Sequence, residues 1–447
     1  MPNAPKSLTL RAYQVGFGDC FLLTFHYGNA GKDRHILIDF GSNAQPKGAP
    51  KKLLPAIADD IRKECGGKLH AIVLTHRHKD HIAGFATNAS HTGPGDVIAS
   101  CNPDLIVQPW TEDPKAKTDA TKPTARAAAS ANKGFVEALD HMHAISAGVR
   151  AEARRMAAAD PSSRQHAFFK ALEFLGEEGV KNPSAVANLQ RMGKAHEYTW
   201  HGQKTGLSQI LPGVTVTVLG PPTLEQSDKI RKERSKDANE FWMFQANAGR
   251  FTSGRLGMGE GGDDGEEQPS PPRLFKDAET LPADNPPTYA RWFMPRLRAI
   301  RGDNLLQMVR ILDDAMNNTS VILLFEVGGQ ALLFPGDAQI ENWEYTLGNA
   351  ALMKRLKKVT LYKVGHHGSR NATPKSLWNS FEHRDKPHVK GRLKTVMSTM
   401  TDVYGKLAEG TEVPRATLVK ELKSKSDLFT TQSIKATTLR AKIEIPL

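Results

Sequence analysis

A chain of 447 residues, 39% hydrophobic and 24% charged, is long enough to bury a large core and too ordinary in composition for a fibrous or disordered protein. No apolar run approaches the length of a membrane span, and Met1 to Leu10 has neither the basic nor the apolar region of a secretory leader, so a cytoplasmic protein without a membrane partner is expected. The formal charge of +12, carried notably by Lys354 to Lys358 and Arg384 to Lys394 against an acidic run at Glu260 to Glu267, inclines the reading toward nucleic acid. Cys20, Cys65 and Cys101 are scattered and odd in number. They suit small buried hydrophobes in a reducing compartment, not a disulfide framework or a zinc-thiolate site.

Leu8, Leu10 and Ala12 alternate with polar residues, which predicts a half-buried strand. After a tight turn at Gly16 to Asp19, the stretches Phe21 to His26 and His35 to Phe40 read as two strands joined across Gly28-Asn29-Ala30-Gly31, with Asp39 at a strand end. Leu53, Leu54, Ile57, Ala58 and Ile61 fall at helical spacing, and Gly66-Gly67 stops that helix. The β-branched run Leu69 to Leu74 and then Asp104 to Gln108 supply two more strands, and this alternation implies a layered α/β fold. From Pro114 to Gly202 the composition turns Ala-rich and strand-poor. Three amphipathic faces follow, on Phe135 to Val149, on Phe168 to Leu175 and on Val186, Leu189 and Met192, and they predict a helical insertion. Its histidines, His141, His143, His166, His196 and His201, read as surface or core residues.

β alternation returns at Val214 to Leu219. The composition of Gly257 to Arg273 is that of a mobile loop, and Gly302-Asp303 caps a helix bearing Leu306, Val309, Leu312 and Met316. Ser320 to Val327 and Gln330 to Phe334 form a predicted hairpin across Gly328-Gly329, followed by strands at Val359 to Val364, Thr395 to Ser398 and within Ile434 to Ile445. The expected organisation is one half of an α/β domain over 1–112, a helical insertion over 113–205, and the second half of that domain over 206–447 with an acidic loop at about 252–290.

The chemistry concentrates in Thr75-His76-Arg77-His78-Lys79-Asp80-His81, directly after the Leu69 to Leu74 strand. On an extended backbone His76 and His78 point to one side and can share a cation. Asp80 and His81 follow at the start of a predicted helical turn, where a carboxylate is favoured. Four ligand-type side chains within six residues exceed what one ion needs from a single loop, so two ions are inferred, His76 and His78 on one, Asp80 and His81 on the other.

This His-x-His-x-Asp-His element resembles the signature of the metallo-β-lactamase superfamily, and other pieces follow in that family's order. Leu37-Ile38-Asp39-Phe40-Gly41, Leu333-Phe334-Pro335-Gly336-Asp337 and Lys363-Val364-Gly365-His366-His367-Gly368-Ser369 resemble its further motifs. With Val15-Gly16-Phe17-Gly18-Asp19-Cys20 and Asn317-Asn318-Thr319-Ser320-Val321, they look most like the hydrolase domain of the DNA-uptake competence protein ComEC and its soluble relatives. The resemblance implies a four-layer αββα sandwich, two sheets face to face with helices outside, carrying the helical insertion. It also implies two divalent ions, zinc with manganese as the alternative, bridged by Asp337. His366, directly after its strand, is the expected ligand and His367 the expected proton-transfer group beside it. Asp80 would also orient the nucleophile. Asp39 is expected to steady a histidine or join the second ion, as is Asp19. Lys363, Ser369 and Arg370 are candidates for phosphate oxygens.

Two departures mark this sequence. Where the family usually supplies a third histidine to the first ion it has Asn317-Asn318-Thr319-Ser320, so an Asn carbonyl, a water, His196 or His201 is left to complete that ion. Where ComEC-like proteins carry Tyr-Gly-His-Pro, it has Tyr404-Gly405 and, further on, Glu412-Val413-Pro414. The leading expectation is a phosphodiesterase or nuclease using a hydroxide held between two metals. The alternatives are hydrolysis of a small ester, lactone or phosphocholine-type diester, and a non-catalytic partner-binding protein that keeps the fold.

Overall fold

The computed structural model describes residues 4–28, 33–113, 153–155, 182–227, 316–369, 373–385, 391–405 and 412–447. Nearly all belong to one compact unit formed by Met1–Val136, Asn182–Ile230 and Ala315–Leu447. The predicted helical faces on Phe135 to Val149 and Phe168 to Leu175, the acidic loop at about 252–290, the helix capped by Gly302-Asp303 except for Met316, and the residue Arg370 lie outside the described residues.

The unit is a mixed α/β structure with two mixed sheets. The first runs in the order β13-β1-β2-β3-β4-β5-β6, built from β1 (Ser7–Tyr13), β2 (Cys20–His26), β3 (Arg34–Phe40), β4 (Ala71–Val73), β5 (Leu105–Pro109), β6 (Ala195–Thr199) and β13 (Arg440–Pro446). Strands β13, β1, β2 and β3 are antiparallel, whereas β3 to β6 are parallel. Period-two alternation sorts β1: Leu8, Leu10 and Ala12 enter one apolar cluster while Tyr13 enters another, with α1 (Leu53–Glu64). The helix α2 (Lys79–Ile82) is a single turn, and α3 (Pro94–Ser100) and α4 (Pro183–Arg191) pack with α1 around that second cluster. Two strands depart from expectation. β4 is only three residues long, and β6 lies inside the stretch whose Ala-rich composition predicted helices alone.

The second sheet runs β12-β11-β10-β9-β8-β7, from β7 (Thr215–Gly220), β8 (Ile322–Val327), β9 (Gln330–Phe334), β10 (Leu361–Lys363), β11 (Lys394–Met397) and β12 (Asp427–Thr430). Again the first strands are antiparallel and the last four parallel. After a short turn of helix, α5 (Leu207–Ile210), the helices α6 (Ile340–Leu347), α7 (Ala350–Leu356), α8 (Lys375–Ser380) and α9 (Ala416–Lys425) contribute Trp343, Leu356, Leu377 and Leu422 to a third apolar cluster with this sheet.

The two sheets share the remaining cluster. Phe21 and Phe25 of the first meet Phe334 and Phe325 of the second with ring centroids 6.1 Å apart in each pair. Each such fully buried ring contributes about 1.5–3 kcal/mol of transfer free energy. Both parallel blocks therefore bring their carboxyl ends toward common loops, the position where open α/β sheets bind ligands. Glycine makes the approach close enough. A Cβ on Gly41 would lie 2.3 Å from the Asp80 carbonyl carbon, and one on Gly336, whose φ is +56°, would lie 2.7 Å from the Thr75 Cβ. Among the described residues no helix is long and apolar enough to cross a membrane.

Candidate metal centre

β4 ends at Val73, and His78, itself in an extended conformation, caps α2. The two imidazoles turn to one side, and His76 Nε2 lies 2.8 Å from His78 Nδ1. α2, which starts at Lys79, then places Asp80 and His81 within its single turn. β9 delivers Asp337 and β10 delivers the doubled histidines from the other sheet. His81 Nε2 lies 3.1 Å from Asp337 Oδ2, across 256 residues of sequence, and His367 Nε2 lies 2.7 Å from Asp80 Oδ2, across 287. One ligand atom from each of Asp80, His81, Asp337 and His367 falls within 4.8 Å of the others, and all four residues are buried. The cluster could hold a metal ion.

The outer nitrogens of these rings are held in turn, which assigns their tautomers. Asp39 accepts from the Thr75 backbone amide at 2.8 Å, from the Thr75 hydroxyl at 2.7 Å and from His81 Nδ1 at 2.8 Å. That leaves Nε2 of His81 facing the cluster. His367 Nδ1 donates to the Ser398 carbonyl at 3.0 Å, again turning Nε2 inward. Thr75 Oγ1, having given its proton to Asp39, lies 3.2 Å from His76 Nδ1 and accepts from it, so His76 presents Nε2 toward His78. Asp39 has a φ of +53°, the left-handed turn that brings its carboxylate back over the neighbouring strand end.

Four carboxylates, Asp19, Asp39, Asp80 and Asp337, are buried here beside one buried ammonium, Lys363. Burial lowers the imidazoles of His76, His78 and His366, His78 to about 4, which keeps them in the neutral form that binds metals. Burial would lower His81 and His367 as well. Asp337 and Asp80 outweigh it and push both above the usual histidine range. The same pairs, against the upward push of burial, hold Asp80 and Asp337 below the usual carboxylate range, while for Asp39 burial wins and the shift is upward. A site that charges its own imidazoles to balance carboxylates is one that a cation can enter by displacing protons. Nitrogen and carboxylate donors without thiolate match zinc or manganese.

Most of the residues singled out in the sequence converge here, with differences in detail. Of the doubled pair it is His367, not His366, whose ring joins the metal-capable group. His366 is only half-buried, its backbone N–H donates to Asp337 Oδ1 at 3.0 Å, and its Nδ1 has no hydrogen-bond partner among the described residues. Both histidines have positive φ, 43° and 52°, a reversal that adjacency in sequence does not reveal. Asp337 is not a helix cap, since Gln339 occupies that position before α6. Lys363 is buried against Asp19 and Asp337 and is not exposed to a phosphate. Asp19, Asp39 and His81 form a second close group, but Asp39 is engaged by Thr75 and Asp19 by Lys363.

Asn317 and Asn318 are fully buried in the turn before β8, whose Ser320 hydroxyl accepts from the Asp337 amide at 3.2 Å and whose Val321 amide donates to the Thr75 carbonyl at 2.9 Å. His201 is elsewhere: its Nδ1 donates to the Leu219 carbonyl at 2.8 Å and its ring packs on Tyr345. His196, on β6, lies outside the group too. Ser369 is buried beside the His366-His367 turn. Tyr404 bridges Val413, and Pro414 comes so close to Gly368 that a Cβ there would meet it at 2.9 Å, so the interrupted C-terminal element still closes over the histidine turn. Sequence reading passed over Thr75 and Ser398, whose only signal is a polar residue at the end of a buried strand. It also passed over the Arg77–Glu112 pair, with Nε to Oε distances of 2.7 and 2.6 Å, which ties the motif loop to the segment after β5. A scan against protein-family models and a search of the curated proteins find no match for this sequence.

Proposed function

We propose that this protein is a divalent-metal-dependent hydrolase of the metallo-β-lactamase superfamily, with a phosphodiester as its substrate. Its three apolar clusters, one shared by the sheets and one on each outer face, support reading the fold as that family's four-layer αββα sandwich. The single observation that carries the function is the convergence of Asp80, His81, Asp337 and His367 from loops of two sheets onto one point.

In this reading Asp80, His81, Asp337 and His367 would hold one ion, and His76 and His78 with Asp337 would hold the other. Bound there, a divalent ion polarises a phosphoryl or carbonyl oxygen and lowers the pKa of water toward neutrality. The chain's own residues supply orientation. Asp39 fixes His81, Thr75 fixes His76, and the Ser398 carbonyl fixes His367, so each ring already turns Nε2 to the site, and His81 and His367 need only give up a proton there, not rotate. His366, half-buried beside the group and with an uncommitted Nδ1, is the residue left to move a proton at the leaving group.

Among the described residues the basic runs lie away from this site: Lys354 to Lys358 precede β10, and Arg392 and Lys394 precede or begin β11, at the amino ends of strands whose carboxyl ends carry the cluster. The phosphodiester assignment therefore rests on the resemblance of the motifs more than on charge. Incubating the purified protein with labelled single- and double-stranded DNA and RNA, with and without zinc or manganese, tests it. Metal-dependent cleavage by the wild type and none by Asp80→Ala is the expected result. Turnover of small chromogenic esters without polynucleotide cleavage would move the substrate class, and metal binding with no turnover of either would make the protein a non-catalytic one.

A further inference from the structure

Among the described residues Lys363 is the only buried lysine, and it sits three residues before His366 at the end of β10. A buried ammonium is tolerated only when its protons are engaged. Its Nζ pairs with Asp19 Oδ2, lies 3.3 Å from Asp337 Oδ1 and donates to the Gly336 carbonyl at 3.1 Å. Buried, with two hydrogen bonds and an ion pair already made, the ammonium is not open to an incoming substrate.

The consequence falls on Asp337. Its Oδ1 faces Lys363 Nζ and also accepts from the His366 amide at 3.0 Å. Its Oδ2 faces only the metal-capable rings, 3.1 Å from His81 Nε2 and 3.6 Å from His367 Nε2. The two oxygens of one carboxylate are thus assigned to different tasks. A carboxylate free of such restraint can rotate and chelate one ion with both oxygens.

Resting on the metal-centre reading above, we propose that Lys363 is a positioning residue: a built-in cation that occupies Oδ1 of Asp337 so that Oδ2 alone is offered to the two ions. It acts through Asp337 and touches no substrate. Its second partner, Asp19, provides the control, because removing both members of that pair changes the buried charge by one unit of each sign.

The test uses the full chain stripped with a chelator and titrated with manganese, reading affinity by calorimetry and metal–metal exchange coupling by electron paramagnetic resonance. The wild type is expected to show a coupled pair. Lys363→Met is expected to bind the weaker ion 10- to 100-fold less tightly, the range for residues that orient a metal ligand, and to lose the coupling. Asp19→Asn with Lys363→Met is expected to behave as Lys363→Met does, and it also serves if the single variant does not fold. Wild-type affinity and coupling in both variants would overturn the proposal. Recovery in the double variant alone would overturn it too, since Lys363 would then only neutralise Asp19. A wild type that binds no manganese would instead remove the metal-centre reading.

Discussion

The parallel strands of the two sheets carry histidines at both ends, and His35 and His70 at the amino ends behave oppositely to His81 and His367 at the carboxyl ends. At the amino ends of β3 and β4, His35 and His70 lie with ring centroids 5.8 Å apart, and their partners are the Thr24 hydroxyl and the His35 backbone amide. Burial lowers both to about 4, so they are neutral. At the carboxyl ends His81 and His367 are buried as deeply or more so, yet Asp337 and Asp80 push them upward. Burial alone makes an imidazole neutral; carboxylates in contact with it reverse the sign. A cluster of histidines is therefore not by itself a metal site. What distinguishes the carboxyl end is a set of buried acids that a cation must balance.

The most damaging way to break that contrast is to remove an acid. Asp337→Asn keeps the shape but leaves Lys363, His81 and His367 facing a neutral amide. Metal affinity should fall by more than the roughly 10- to 100-fold contributed by outer partners, and the metal-free chain should lose about 3–5 kcal/mol, as for a buried ion pair with one partner deleted. Calorimetric metal titration and urea unfolding with chelator present measure the two effects. A variant that binds manganese as the wild type does would show that the acids at the carboxyl end do not make the site.

Metal addition separates the two ends without mutation. Zinc or manganese at 100 times its dissociation constant should stabilise the wild type by about 2.7 kcal/mol through binding only the folded state, seen as a rise in Tm that chelator reverses. Asp80→Ala should abolish the rise, and a double substitution of His35 and His70 should leave it intact. A smaller effect is expected at Asp39, which touches the cluster only through His81 and Thr75. Asp39→Asn should weaken metal binding about 10- to 100-fold while sparing the fold, as near-unchanged far-ultraviolet dichroism would report.

The carboxyl-end residues were legible because strand-end motifs carry their chemistry locally. His76 to His81 follow an apolar run, and period-two alternation decides which way His76 and His78 face. Pairings across the chain were not legible. Nothing near Lys363 in sequence announces Asp19, 344 positions earlier in the numbering, so a buried counter-ion read as an exposed phosphate binder. The positive φ values of His366 and His367 exchange which ring faces inward, and backbone reversal leaves no mark in a pair of identical residues. β6 escaped notice because Ala195–Thr199 is a polar, half-exposed edge strand, and edge strands need little apolar alternation. β12, Asp427–Thr430, escaped for the same reason.

The finest distinction between the two ends is a sign in the pH dependence. His35 titrates near 4 in the folded chain against an ordinary 6.5, so between those values the unfolded chain takes up a proton that the folded chain refuses. Stability should therefore fall as pH drops through 6.5 and level off below about 4, by on the order of 3 kcal/mol from this residue. At the metal centre the sign reverses. Imidazoles raised above their ordinary value stabilise the metal-free chain fully below 6.5, and that contribution is lost as pH climbs through their raised values. Between pH 6.5 and 4.5 urea midpoints of chelator-treated protein should thus decline less steeply for His35→Asn than for the wild type. Between pH 8.5 and 6.5 the wild type should gain stability toward acid, and His367→Asn should reduce that gain. Equal slopes for all three proteins would mean that burial and carboxylates do not set these imidazoles apart, and the carboxyl-end histidines would lose their claim to be different.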